Sequence, residues 1–403
     1  MIKVLFLIPT LDRSGAEKQL THLATGLPRD EFDVEVVALT RGGPYEEPLK
    51  AAGIPLTIIG KRWKFDPFAL RRLQKLIAEK QPDVLHTWLF AANAYGRMAV
   101  GSDPAPKVVV SERCVDSWKA NWQLWFDRKL ASRTDRLIGN SQAVADFYAH
   151  VGFPRDRTIV IPNGIEPATE STRTRQSICD EFDFPVDSKI IGCVGRLAPQ
   201  KRVSDLIWAI ELLQSLQASS RLLIIGEGPQ RKELEDFARN VQLTNVVRFA
   251  GHRSDVANIM PHMDMFCLAS DFEGQSNSLM EAMANGRPVI VSDIAPNLEL
   301  VTHEKTGLVV PVGDRPAFTR ACDRLIKDQP LAESLGNAAR DYIVEEHSFE
   351  KAIAAHADLY RSLVEPSNLS TSDAKTQRFA KITLALCEPL RLRDFASPSE
   401  TEP

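Results

Sequence analysis

No stretch of this 403-residue chain holds eighteen consecutive apolar residues, so no transmembrane helix is expected and any membrane contact would be peripheral. Met1 to Pro9 is too short for a signal-peptide core and reads as a first strand. Cysteine is sparse. Cys114, Cys179, Cys193, Cys267, Cys322 and Cys387 are scattered without a Cys-x-x-Cys pair, so neither a zinc site nor a disulfide framework is suggested. A reducing, cytoplasmic compartment fits that usage. Positive charge is not in excess. Lys and Arg total 49 against 53 Asp and Glu, a net −4, which argues against a nucleic-acid role. The first strand is not followed by Gly-x-Gly-x-x-Gly, which disfavours a dinucleotide oxidoreductase. Asp-x-Asp is absent, so a divalent metal clamp is not indicated and no cofactor is expected. No repeat of solenoid length is visible.

What the chain does have is alternation. Apolar runs at 3–8, 34–39, 56–59, 84–87, 108–110, 136–139 and 158–161 are separated by helical patterns. The alternation then restarts, with runs at 190–194, 222–225, 246–249, 265–268, 289–291 and 307–310. Near-continuous apolar strands between helices mean a parallel sheet covered on both faces, here twice. The fold class expected is therefore α/β, two Rossmann-like parallel-sheet domains facing across a cleft, because ligands of such sheets bind beyond the carboxyl ends of the strands. Boundaries are placed at 1–165 for the first domain and 166–347 for the second, with Pro162–Pro167 as hinge. Residues 348–365 form a last helix packing back on the first domain, and 366–403 a polar linker and amphipathic tail.

The chain is organised around Ser270–Gly286. An apolar strand ends at Ala269, a turn carries Glu273, and a short helix carries Glu281, capped at Ser276 or Asn277 and stopped at Gly286. Carboxylates in such a turn suit ligand hydroxyls, and the turn amides and helix N-terminus remain for a phosphate or sugar oxygen. A solvated acidic helix start explains the same residues. Gly195-Arg196-Leu197 and Lys201 follow the first strand of the second half and precede a helix. Two cations there suit a diphosphate, although loop cations are usually just solvated. Gly226 and Gly228 close the next strand, and Gly15 is the lone glycine of the first loop; each serves either a tight turn or a close approach to a ligand.

Taken together these motifs resemble the retaining, nucleotide-sugar-dependent glycosyltransferases of family 4, which have the GT-B fold. The carrying residues are Gly195-Arg196-Leu197 with Lys201, Gly226-x-Gly228-Pro229, Phe249-x-Gly251, and Glu273 and Glu281 with seven residues between them. The resemblance covers about residues 1–365 and is strongest from 190 to 315. It implies that Glu273 contacts donor-sugar hydroxyls and Glu281 the ribose, with amides of Gly274, Gln275 and Ser276 holding the sugar. Arg196 and Lys201 would neutralise the departing diphosphate, helped by the Gly15 loop, and Arg253 would lie by the base. The implied partners are a nucleotide-sugar, most naturally a UDP-sugar, and a glycan or lipid-linked acceptor.

The first half departs from that family. Where many members carry His, this chain reads Ser111-Glu112-Arg113-Cys114. Glu112 is a candidate to orient or deprotonate the acceptor and Arg113 to bind an anionic one; a structural ion pair is the competing reading. His86, at another strand end, is a further candidate acceptor contact. Lys61 to Lys75 is basic with aromatics, and docks on an anionic membrane or is a solvated helix. A cytoplasmic enzyme, peripheral on the inner membrane face, is the leading reading. A nucleotide-sugar epimerase and a catalytically silent binding module are the alternatives.

Overall fold

The computed structural model describes residues 1–101 and 106–364, so the linker and tail expected over 366–403 lie outside the described residues. The first sheet comprises β1 (Ile2–Thr10), β2 (Phe32–Arg41), β3 (Leu56–Ile58), β4 (Val84–Trp88), β5 (Lys107–Glu112), β6 (Arg136–Gly139) and β7 (Thr158–Val160), in the order β3-β2-β1-β4-β5-β6-β7. The second comprises β8 (Lys189–Val194), β9 (Ser220–Ile225), β10 (Val247–Gly251), β11 (Met265–Leu268), β12 (Val289–Ser292) and β13 (Leu308–Val310), in the order β10-β9-β8-β11-β12-β13. Every strand pair is parallel. That requires a crossover between strands, which the intervening helices supply. The central strands are apolar on both faces because helices cover both: Val4, Phe6 and Ile8 of β1 enter one core, Leu5 and Leu7 another.

The chain crosses between the domains twice, side by side. Ile165 N–H donates to the His347 carbonyl at 2.7 Å, and Ile165 bridges Ser348. After the second crossing, the helix Phe349–Val364 packs on the first domain: Ala357, Leu359 and Tyr360 join the core with Val4, Phe6 and Phe32. Tyr360 is fully buried, and its hydroxyl meets His86 Nδ1 at 2.6 Å.

The helix leading out of β5 begins at Asn121, because the Gln123 side chain accepts from the Ala120 N–H at 3.0 Å and fixes the start there. Trp118 is left in the preceding turn.

Candidate active site

The loops leaving β8, β9 and β11 lie together at the carboxyl edge of the second sheet. Backbone bonds tie them: Leu197 N–H to the Glu227 carbonyl at 2.9 Å, and Asp271 N–H to the Gln200 carbonyl at 2.8 Å. Gly226 has φ +143, and a side chain there would collide with the Gly195 carbonyl, so only glycine allows these two loops to touch. Lys201 Nζ is ion-paired with Glu273 Oε1, and Ser270 Oγ donates to the same oxygen at 2.7 Å. Arg196 is exposed, and no hydrogen bond or ion pair among the described residues engages its guanidinium. The helix after the turn runs Asn277–Ala284. Its N-cap Ser276 makes no side-chain bond to the helix amides, meeting Ser278 Oγ at 3.2 Å instead. The first-turn amides are thus left for an anion or a sugar oxygen. A carboxylate, two cations and bare helix amides converge on one rim.

The opposite wall comes from the first domain. Lys18, on the helix Gly15–Gly26, reaches Glu281 Oε1 at 2.6 Å. Asn277 Nδ2 donates to the Gly15 carbonyl at 3.1 Å, which seats the first loop on the donor-side helix. The hinge joins the same network. Asn163 N–H donates to Gln275 Oε1 at 2.7 Å, and its Nδ2 donates to the Gln275 carbonyl at 3.1 Å and to Asn277 Oδ1 at 2.8 Å. Gln19 and Gly164 exchange a reciprocal pair, at 2.8 and 2.9 Å. Val115 N–H donates to the Glu273 carbonyl at 3.0 Å, directly across the domains. Lys18, Gln19 and Asn163 were not singled out from the sequence, and Asn277 only as a candidate cap of its own helix. Asn163 stood there only as part of a turn-like hinge, and no local spacing relates it to a turn more than a hundred residues on.

Three expected acceptor contacts, His86, Glu112 and Arg113, are corrected. His86 is fully buried between Tyr360 and Ser111, whose Oγ lies 2.8 Å from Nε2; burial holds it well below the usual histidine range, and it pins the last helix to the sheet rather than meeting an acceptor. Glu112 is also buried, accepting from Asn93 Nδ2 at 2.9 Å, with Lys119 Nζ at 3.7 Å. Lys119 also pairs with Asp116 at 3.0 Å and Asp127 at 3.2 Å, and Arg97 pairs with Asp127, so Glu112 serves an interior network, not the acceptor. Arg113 stacks on Trp88, 4.5 Å from the ring centroid, and donates to Asn163 Oδ1. It makes no ion pair with Glu112, and its remaining contact is with the hinge, so the structure gives it a place in the domain junction in place of an acceptor-binding one. Burial lowers its pKa to about 9. Arg253 is ion-paired with Asp255 at 2.7 Å and Glu181 at 2.6 Å inside the second domain.

The Glu112 network has a testable consequence. Burial raises Glu112 to about 7, against the opposing pull of Lys119. A folded-state pKa above the unfolded one stabilises the fold fully below the ordinary glutamate range and loses that stabilisation as pH rises through about 7. Glu112→Gln keeps the bond from Asn93 and removes the titration. It should therefore flatten the fall of Tm between pH 5 and 7 while leaving turnover near wild type; a loss of turnover with an unchanged Tm profile would restore a chemical role to this carboxylate.

The model of the glycosyl transferases group 1 matches residues 174–342, and that of Glycosyltransferase Family 4 matches residues 13–169. The chain is 26% identical to the Escherichia coli UDP-Gal:alpha-D-GlcNAc-diphosphoundecaprenol alpha-1,3-galactosyltransferase, over 89% of this chain and 96% of that one. It is 24% identical to the Rhizobium meliloti lipopolysaccharide core biosynthesis glycosyltransferase LpsE, over 86% and 96%. Among solved structures, HepE of Anabaena in complex with UDP-glucose superposes with a TM-score of 0.80 at 22% identity, covering 90% of this chain and all of that one. With one family model on each domain and the two sheets facing across a shared site, the chain belongs to the family 4, group 1 glycosyltransferases and has the GT-B fold.

Proposed function

We propose that the protein is a retaining hexosyl- or N-acetylhexosaminyltransferase. On this reading it takes the sugar from a nucleotide diphosphate-sugar, UDP foremost, and delivers it to a glycan or lipid-linked acceptor in polysaccharide or glycoconjugate synthesis. The observation that carries it is the Lys201–Glu273 pair beside the unengaged Arg196 and the uncapped helix at Asn277. As the bond from the anomeric carbon to the diphosphate breaks, charge grows on the departing phosphate oxygen. Arg196, Lys201 and the helix amides meet that charge, where fixed dipoles and cations act most strongly. Their positive charge stands in for a divalent ion, so the reaction is read as metal-independent. Glu273 accepts hydrogen bonds from the sugar hydroxyls, and Glu281 from the ribose, sharing Lys18. The acceptor hydroxyl attacks from the face the diphosphate leaves and gives its proton to the departing oxygen, which retains configuration without a covalent intermediate.

The UDP complex of the Anabaena protein and the lipid-linked substrate named for the Escherichia coli relative support UDP and a lipid-linked acceptor. With such an acceptor, we read the enzyme as working on the cytoplasmic face of a membrane, with Lys61–Lys75 toward it. A thermal-shift panel of UDP-, GDP- and ADP-sugars, followed by slow donor hydrolysis, tests the donor. Bound ligand raises Tm by mass action, and the UDP series should give the largest shift. A shift with none of them would leave the reading without support, and an epimerised donor in the absence of acceptor would replace transfer by epimerisation.

A further inference from the structure

The first domain exposes its aromatics in one place. Among the described residues, the exposed large aromatic side chains are Trp63, Phe65, Phe68, Trp118, Trp122 and Trp125, four of them tryptophans from a chain that has six. Each is more than half exposed, from 57% for Trp63 to 64% for Phe65 and Trp122. Burying them would stabilise the fold, and instead the fold holds them out. Asp66 shows how. It is buried, accepts from Arg62 N–H and Ala69 N–H at 3.0 Å each, and so both caps the helix Pro67–Lys80 and pins the loop that projects Trp63, Lys64 and Phe65. Trp122 and Trp125 stand on one face of the helix Asn121–Leu130, and Lys129 Nζ lies 5.7 Å from the Trp125 ring centroid.

The two groups share one rim. One follows the carboxyl end of β3 and the other that of β5, with three strands of the first sheet between them, and the helix Leu89–Ala99 packs against the helices of both. Its Tyr95 carries Lys61 over the ring at 5.5 Å, and the neighbouring Phe90 meets Trp122 edge-on at 6.1 Å. The charge on this rim is one-sided. In 61–75 the sole carboxylate is Asp66, and in 118–129 it is Asp127, and both are buried. Every exposed charge in these segments is therefore positive: Arg62, Lys64, Arg71, Arg72, Lys75, Arg128 and Lys129, with Lys75 alone paired to a carboxylate, Glu79, just beyond at 3.6 Å. The chain as a whole is −4, so this is a local arrangement against the overall balance.

We infer that this rim docks the protein on an anionic lipid bilayer, with Trp63, Phe65, Phe68, Trp118, Trp122 and Trp125 in the headgroup boundary and the surrounding Lys and Arg on lipid phosphates. Amphipathic indole rings favour that boundary, and basic residues near it are drawn by the surface potential. An aromatic platform for a soluble glycan fits less well, because the polar groups beside these rings are cations and the carboxylates that grip sugar hydroxyls are turned inward. The inference rests on the reading of a lipid-linked acceptor and deepens it. The carboxyl edge of the first sheet is also the cleft edge, so the docked rim brings a lipid-borne acceptor to the mouth of the site.

The test is co-sedimentation of the full chain with vesicles of phosphatidylcholine alone and with added phosphatidylglycerol. Binding should require the anionic lipid. It should fall about 10²-fold on Lys61→Glu/Arg62→Glu/Lys64→Glu, and comparably on Trp118→Ser/Trp122→Ser/Trp125→Ser. Acyl-chain bromination should quench tryptophan fluorescence in the wild type and less so in the tryptophan variant. Every substituted residue except the half-buried Lys61 is exposed, and a UDP-sugar thermal shift on each variant checks folding and the donor site separately. Failure of that shift in the wild type would count against the glycosyltransferase reading and leave the vesicle result standing. No co-sedimentation with anionic vesicles, or binding unchanged in both triple variants, overturns the inference. So does a tryptophan variant that loses a soluble acceptor glycan or a self-association while vesicle binding persists.

Discussion

Lys201→Met should lower kcat by about 10²–10³, with the donor KM changed far less. Lys201 sits where the β8 loop turns into the following helix, and its ammonium pairs with Glu273 itself, while Arg202 pairs with Asp271 of the same turn at 3.1 Å. Methionine keeps the length of the stem and removes the charge. The ground-state diphosphate is shared with Arg196 and the helix amides, so binding survives, whereas the charge that grows on the departing oxygen loses its nearest fixed partner. Glu273, mostly buried, would be left with Ser270 as its donor, so some stability is lost as well. Lys201→Arg separates the two effects: it restores the charge and should recover much of the rate. Steady-state transfer or donor hydrolysis measures this, and a kcat for the methionine variant within about threefold of wild type would remove Lys201 from the chemistry.

Gly274→Ala should lower kcat by about 10² or more through the geometry between domains, without removing any polar group of the site. A Cβ on Gly274 would collide with the carbonyl of Arg113 on the facing domain and stand 2.7 Å from Asn140 Oδ1. Backbone cannot rotate out of the way as a side chain can. Gly274 does not adopt a positive φ, so alanine costs nothing in the isolated turn and the whole penalty falls on the approach of the two domains. The Val115–Glu273 bond and the Asn163 hub would be pulled apart with it. The variant should fold, keep donor binding in the second domain, and show a larger radius of gyration by small-angle scattering. Wild-type scattering together with wild-type turnover would mean that this close contact has no part in assembling the site.

The sequence alone determined the architecture and marked the junctions that carry the candidate site. Continuous apolar runs spaced by helical patterns leave no solution other than parallel sheets covered on both faces, because a strand buried on both sides must be apolar throughout. The residues proposed for the donor site stood out for a related reason. Lys201, Glu273 and Glu281 sit at the junctions of strands and helices, and such junctions have local spacing that a one-dimensional reading registers.

What only the tertiary structure decided lies between elements. Glu112, Arg113 and His86 stand at strand ends, where a reading of position alone assigns them to the cleft. Which way a strand-end side chain turns depends on what packs over it. Tyr360 arrives from the far end of the chain to take His86, and Lys119 closes over Glu112. Lys18 reaching Glu281 and Asn163 reaching Gln275 join residues far apart in the chain across a domain boundary. The rim of exposed tryptophans has the same origin. Sequence shows aromatics among cations, but whether an indole fills a core or faces outward is fixed by the helix that does or does not cover it. Here Asp66 and Asp127 turn inward while the rings and cations around them turn out.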